Sequence, residues 1–383
     1  MQTIGILLPR STYYETIGFD LFNGLKNNLN ETGNDSIRVV TENIGFGSEK
    51  QQCYRSAEKL LLEENASIVI AYIGQRGAQL LRPLFLAMNR LLIVVDAGAN
   101  LPHEADYCPN ILYHSFHNSL GAWLSSKMAI ADGKKTAGMI TGYYDGGYLH
   151  TLATTEGFIQ NGGEIKFNVA TGFKSDTFSM DDLIPHLQNY PGSALLTLFS
   201  GDFVQWYFKE LIRIFGVGNT AVYLSPFGME EQMLADAPFP GETTKGVVTW
   251  SRQLDSEKNR HFIQTIETNT NKTPTLFSLM GWEAGLLVDK IFRLQSELGI
   301  KEITPELLNA IEFESPRGTV KLYPKINTTY APMYNATVIS TENNTCQLRI
   351  DGTIESIPAH LDELTSIPLN DVETAWYNSY VCI

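Results

Sequence analysis

Ile68-Val69-Ile70-Ala71-Tyr72-Ile73-Gly74-Gln75-Arg76-Gly77 is an apolar run that stops in a small polar cluster, after which Leu80, Leu81, Leu84, Phe85 and Met88 recur at helical spacing. An apolar run without alternation is the pattern of a strand buried on both faces. The same order occurs on either side. Ile4-Gly5-Ile6-Leu7-Leu8 leads into Pro9-Arg10-Ser11 and a helical stripe of Ile17, Leu21, Leu25 and Leu29, which Gly33 and Asn34 should end. Leu91-Leu92-Ile93-Val94-Val95 leads into Asp96-Ala97-Gly98-Ala99-Asn100. Strand, polar loop and helix in repetition predict a parallel sheet covered by helices on both faces, with ligands gathered by the loops at the carboxyl ends of the strands.

A second series with the same grammar begins at Asn118. It runs through apolar strands at Thr136–Thr141, Ile165–Val169, Ala194–Phe199 and Ala221–Leu224, with helices between them. Leu101 to His117 lacks periodicity and reads as a crossover between the two series. After Val247-Val248-Thr249-Trp250, helices are expected from about Ser256 to Asn269 and from Thr275 to Leu298. From Pro316 the pattern changes to short alternating strands of connector or edge type. The last thirty residues read as irregular and polar, with aromatics at Trp376, Tyr377 and Tyr380.

The chain of 383 residues exceeds what one core usually supports, so two domains are expected. A formal charge of -14 without clustered Lys and Arg argues against nucleic acid. No stretch reaches the roughly 18 apolar residues of a membrane span, so no direct membrane insertion is expected. The four cysteines, Cys53, Cys108, Cys346 and Cys382, lack metal-type spacing. A pair between Cys346 and Cys382 would fasten the tail in an oxidising compartment, and four unpaired thiols are the alternative.

Phosphate-cradling, zinc and nucleophile-elbow motifs are missing, and Gly216-Val217-Gly218 ends a helix rather than opening one. No cofactor and no metal are expected. What the strand ends offer is hydrogen bonding and exposed backbone. Arg10 and Ser11, Gln75 and Arg76, Asp96 and Asn100, Tyr143 to Asp145, and Ser200 and Asp202 stand beside Gly77, Gly98, Gly146, Gly147 and Gly201. This mixture suits recognition of a small polar molecule. Asp96, after five apolar residues, is expected to be partly buried with a raised pKa and to act as an acceptor rather than a base.

With those residues in place, the chain resembles the type I periplasmic binding proteins of the branched-chain amino acid receptor group, which also includes amide- and urea-binding members. The likeness rests on Ile17-Gly18 and Asn23-Gly24 after the first strand, the Gly74 to Gln79 turn, Asp96 to Asn100, Glu156-Gly157-Phe158, and Ser315-Pro316-Arg317-Gly318-Thr319-Val320. The last is the most specific element, similar to a stretch of the amide and urea binders.

The resemblance implies an α/β fold of two Rossmann-like lobes joined by a hinge of three crossovers and closing over a ligand. The expected lobes are 1–116 with about 251–330, and 117–250 with about 331–383. Carried over by position, the ligand-binding residues would be Tyr13, Tyr14, Gln75, Arg76, Gly77, Asp96, Gly98, Asn100, Tyr144, Asp145, Ser200, Asp202 and Phe227. Gln75, Arg76 and Gly77 stand where amino acid binders place a hydroxyl. Phe227 stands where they place a carboxylate for the α-ammonium. Both departures argue against an ordinary α-amino acid and toward an amide, a carboxylate or an amino acid derivative.

The resemblance also implies a non-enzymatic partner of a membrane ABC permease, periplasmic or extracellular, with an export signal cut off before Met1; a monomer is the default expectation. A ligand-sensing subunit of the amide-sensor type is the alternative. A hydrolase using Asp96, Asp145 and Asp202 is the third reading.

Overall fold

The computed structural model describes residues 2–33, 37–174, 176–300, 302–342 and 345–368. In chain order, the first segment carries β1 (Thr3–Leu8), α1 (Ile17–Glu31), β2 (Arg38–Asn43), α2 (Lys50–Leu62), β3 (Ile68–Tyr72), α3 (Gln75–Met88), β4 (Leu91–Asp96) and β5 (Ile111–Ser115). The second carries α4 (Asn118–Ala131), β6 (Thr136–Thr141), α5 (Leu149–Ile159), β7 (Glu164–Ala170), α6 (Leu183–Asn189), β8 (Ala194–Leu198), α7 (Phe203–Phe215), β9 (Val222–Leu224), α8 (Glu231–Leu234) and β10 (Thr244–Val248). The third carries α9 (Glu257–Thr270), α10 (Leu276–Leu298), α11 (Pro305–Asn309), β11 (Glu312–Ser315), β12 (Gly318–Tyr323) and β13 (Thr328–Tyr330). The last carries β14 (Met333–Ser340), β15 (Cys346–Ile354) and α12 (Ile357–Thr365).

These segments form two compact units. Among the described residues, the first unit draws on residues 2–116 and 255–332, the second on residues 117–254 and 333–368.

In the first unit eight strands run in the order β11-β12-β13-β5-β4-β3-β1-β2. The strands from β1 to β5 are parallel, and β13 joins β5 in parallel. Every residue of β3 and β4 is buried, as their unbroken apolar sequence requires. Helix α1 buries Ile17, Leu21, Leu25 and Leu29, each worth about 1.5–3 kcal/mol relative to exposure. It meets α10 at backbone distance. A Cβ on Gly24 would lie 2.0 Å from the Ser278 carbonyl oxygen, and one on Gly281 would lie 2.0 Å from that of Leu21.

The second unit repeats the scheme with seven strands in the order β15-β14-β10-β9-β8-β6-β7. In each sheet the first strand of the unit sits between its second and third, so chain direction across the sheet reverses at β1/β3 and at β6/β8. Crevices at the carboxyl ends of strands open at such reversals.

Two expectations are corrected. The segment Leu101 to His117 is not strandless: Ile111–Ser115 forms β5, fully buried inside the first sheet. Its polar His114 is accommodated because the Nδ1 lies 2.7 Å from the Thr329 Oγ1 on β13. The last thirty residues are not wholly irregular either, since Ile357–Thr365 forms α12 and buries Ile357, Leu361 and Leu364. Gly216 does close α7, at φ +75°. Asn34, Cys382, Trp376, Tyr377 and Tyr380 lie outside the described residues, and with them the expected Cys346–Cys382 pair. Cys346 itself is buried, its Sγ 3.4 Å from the Ala237 carbonyl oxygen.

Candidate functional site

In the first unit the loop after β1 is organised by Ser11, whose Oγ accepts the backbone N–H groups of Tyr13 (3.2 Å) and Tyr14 (3.0 Å). This turn leaves Tyr13 half-buried and drives Tyr14 into the core, edge-on to Phe277 at 5.2 Å. After β3 the chain enters α3 at once, so Gln75, Arg76 and Gly77 form the helix's first turn rather than a free loop. The Gln75 amide donates to the Asp106 carboxylate at 3.0 Å. Gly77 is buried, and a Cβ there would meet the Ile73 Cβ at 3.1 Å.

Asp96 ends β4. Burial drives its carboxyl pKa up to about 7, only partly opposed by hydrogen bonds from the Ser115 hydroxyl and the Gly98 N–H. Gly98 can turn its N–H back because it sits at φ +75°. Asn100, four residues after Asp96 in the same loop, is half-buried.

The second unit carries a parallel arrangement at its reversal point. Asp145, in a short 3-10 turn after β6, is 2% exposed. Burial raises its pKa to about 7 against hydrogen bonds from the side chain and backbone of Ser200, at the end of β8. The carboxyl thus ties the loop after β6 to the loop after β8. Asp202 is exposed one residue before α7 and caps no backbone group with its side chain.

Around this pair lies a run of aromatic rings. Tyr143 meets Tyr144 at 5.3 Å and Phe173 at 5.4 Å, and Tyr144 meets Phe203 at 6.3 Å. Tyr143 and Phe173 are 55% and 48% exposed, unusual for large rings beside a sheet.

Phe227 requires a correction to its expected lining position. It is 1% exposed, 6.5 Å from the Tyr148 ring and 5.1 Å from His150. Burial lowers the His150 pKa to about 3, so Phe227 packs on a neutral imidazole. Its ring supports the site from within the core of its unit.

The structure therefore brings together Asp96, Gly98 and Ser115 in one unit, and Tyr143, Tyr144, Asp145, Phe173 and Ser200 in the other. Ser115 and Phe173 were missed in the sequence. Ser115 sits in the unrecognised strand, whereas Phe173 could have been found as an aromatic just past the end of β7. Among the described residues no cluster of three or more His, Cys, Asp or Glu is placed to hold a metal ion. No described helix is long and apolar enough to cross a membrane.

Over residues 2–343 the sequence matches a family model described as periplasmic binding protein. The chain belongs to the periplasmic binding protein family. Solved structures agree on the fold. An ABC transporter substrate-binding protein from Sphaerobacter thermophilus is 19% identical with a TM-score of 0.76, over 92% of this chain and 97% of that one. A solute-binding protein from R. palustris in complex with benzoate is 21% identical with a TM-score of 0.71, over 92% and 95%. A branched-chain amino acid ABC transporter ligand-binding protein from Burkholderia xenovorans LB400 is 15% identical with a TM-score of 0.72, over 95% and 98%. No curated protein matches the sequence. This periplasmic binding protein thus shares with those structures its two mixed sheets with flanking helices.

Proposed function

We propose that this periplasmic binding protein is the solute-capturing component of an ABC importer, working in the periplasm and delivering its solute to a membrane permease. The solute in this reading is a small planar carboxylic acid or amide, held by loops at the carboxyl ends of the strands. The observation that carries the reading is the aromatic run Tyr143, Tyr144 and Phe173, with Tyr143 and Phe173 exposed, beside the Asp145–Ser200 pair at the β6/β8 reversal. Flat rings stack or meet edge to face with a planar solute, and the buried acid–serine pair fixes the loops that present them. Similar folds crystallised with benzoate, 4-hydroxybenzoate and 3,4-dihydroxybenzoic acid lend support to an aromatic acid.

Thermal unfolding against a panel of benzoate, 4-hydroxybenzoate, benzamide, urea and leucine tests the proposal. A solute at about 100 times its Kd stabilises the folded protein by roughly 2.7 kcal/mol, a rise of several degrees. Benzoates or benzamide should raise Tm and be recovered unchanged. A rise with leucine alone would remove the aromatic class, and no rise with any compound would remove the capture reading.

A further inference from the structure

The first unit contains a cavity of about 450 Å³ beside the loop that Ser11 organises, away from the Asp96–Ser115 pair. It lies between the carboxyl ends of β1 and β2 and the start of α1, on the far side of β1 from the β1/β3 reversal. Its volume falls in the range of small-molecule sites, roughly 300–1,000 Å³.

Most polar groups on its wall are already engaged. The Ser11 Oγ takes two backbone N–H groups, the Glu42 Oε1 accepts from the Lys59 ammonium at 2.7 Å, and the Asn43 Oδ1 accepts the Gly45 N–H at 2.9 Å. Arg10 and Glu15 differ. Both are exposed and line the cavity, and among the described residues neither side chain has an ion pair or hydrogen bond. Leu8 and Pro9 supply an apolar floor, and Phe19, 70% exposed, stands at the rim.

We propose that this cavity is a second binding site, for a short free peptide with an apolar side chain. Arg10 takes the terminal carboxylate, Glu15 the terminal ammonium, and Leu8, Pro9 and Phe19 the side chain. The assignment does not depend on the identity of the solute held elsewhere.

The test is calorimetric titration of the full chain with L-leucyl-L-leucine, compared with the same dipeptide acetylated and amidated at its ends. The free dipeptide should bind, the blocked one should bind roughly ten-fold or more weakly, and Arg10→Gln or Glu15→Gln should each cost a similar factor. A Phe19→Trp variant should change its emission on addition of the free dipeptide. All three replaced side chains are exposed, so the variants should fold, which their Tm would verify. The proposal is overturned by the absence of both heat and emission change, or by equal binding of the blocked peptide. Binding indifferent to both charge substitutions would overturn it too, as would binding abolished by Tyr143→Ala, which would place the peptide at the solute loops.

Discussion

Replacing Arg317 by methionine should unmake the most deeply buried charge pair of the first unit. The Arg317 Nε lies 2.8 Å and 3.1 Å from the two carboxylate oxygens of Glu283, and the His114 Nε2 lies 3.0 Å from one of them. The side chains of Arg317, Glu283 and His114 are 1%, 0% and 0% exposed. The guanidinium also stands 4.6 Å from the Phe116 ring centroid. Burial alone would raise the Glu283 pKa, but Arg317 and His114 overcome it and bring the value down to about 2 from 4.5.

Methionine matches the length of the arginine stem but leaves Glu283 without its cation. Breaking a buried pair in this way costs about 3–5 kcal/mol. At roughly 2–4 °C per kcal/mol for a unit of this size, the calorimetric transition should move down by about 6–20 °C. The double variant Glu283→Leu/Arg317→Met removes both charges and should be more stable than Arg317→Met alone. The sign with pH follows from the depressed pKa. The stability due to Glu283 is complete above the ordinary carboxylate value and is lost as pH falls from about 4.5 through about 2. Glu283→Gln should therefore flatten that part of the acid limb. A loss below about 1 kcal/mol for Arg317→Met, or a double variant less stable than the single one, would refute the reasoning.

Asp145, with its pKa raised to about 7, stabilises the fold fully below pH 4 and progressively less as pH rises to 7. Asp145→Asn should therefore remove that part of the decline between pH 4 and 7 in a denaturant series. Gly281→Ala would push a Cβ to 2.0 Å from the Leu21 carbonyl oxygen, so α1 and α10 must separate; a loss of about 1–3 kcal/mol or more should appear in the same series. Tyr143→Ala with Phe173→Ala should weaken an aromatic acid roughly ten-fold in calorimetry while leaving Tm of the free protein within a few degrees, since both rings are half exposed.

The parallel strands were readable because β3 and β4 are pure apolar runs, and burial on two faces leaves little choice of residue. Strand β5 was not, because Tyr113, His114 and Ser115 dilute its apolar signal and His114 is tolerable only through Thr329 and Glu283, far away in sequence. Helix α12 begins at Ile357-Pro358 behind a polar segment and shows its apolar face only once packed. At the site, Asp96 was expected to be partly buried because it directly follows an apolar strand, as the structure bears out. Asp145 could be placed at a strand end. Its burial could not be foreseen, because that depends on how the loops after β6 and β8 fold against each other. Likewise Phe227 reads as a ring at a strand end, and only tertiary packing on Tyr148 and His150 turns it inward.

Solute capture at the loops after β6 and β7 makes one direct demand. Calorimetric titration of 4-hydroxybenzoate, or of the strongest stabiliser in the thermal panel, into the wild-type chain and into Tyr143→Ala and Phe173→Ala tests it. One solute per chain should bind the wild type, with affinity reduced in each variant. Affinity intact in both variants would contradict it.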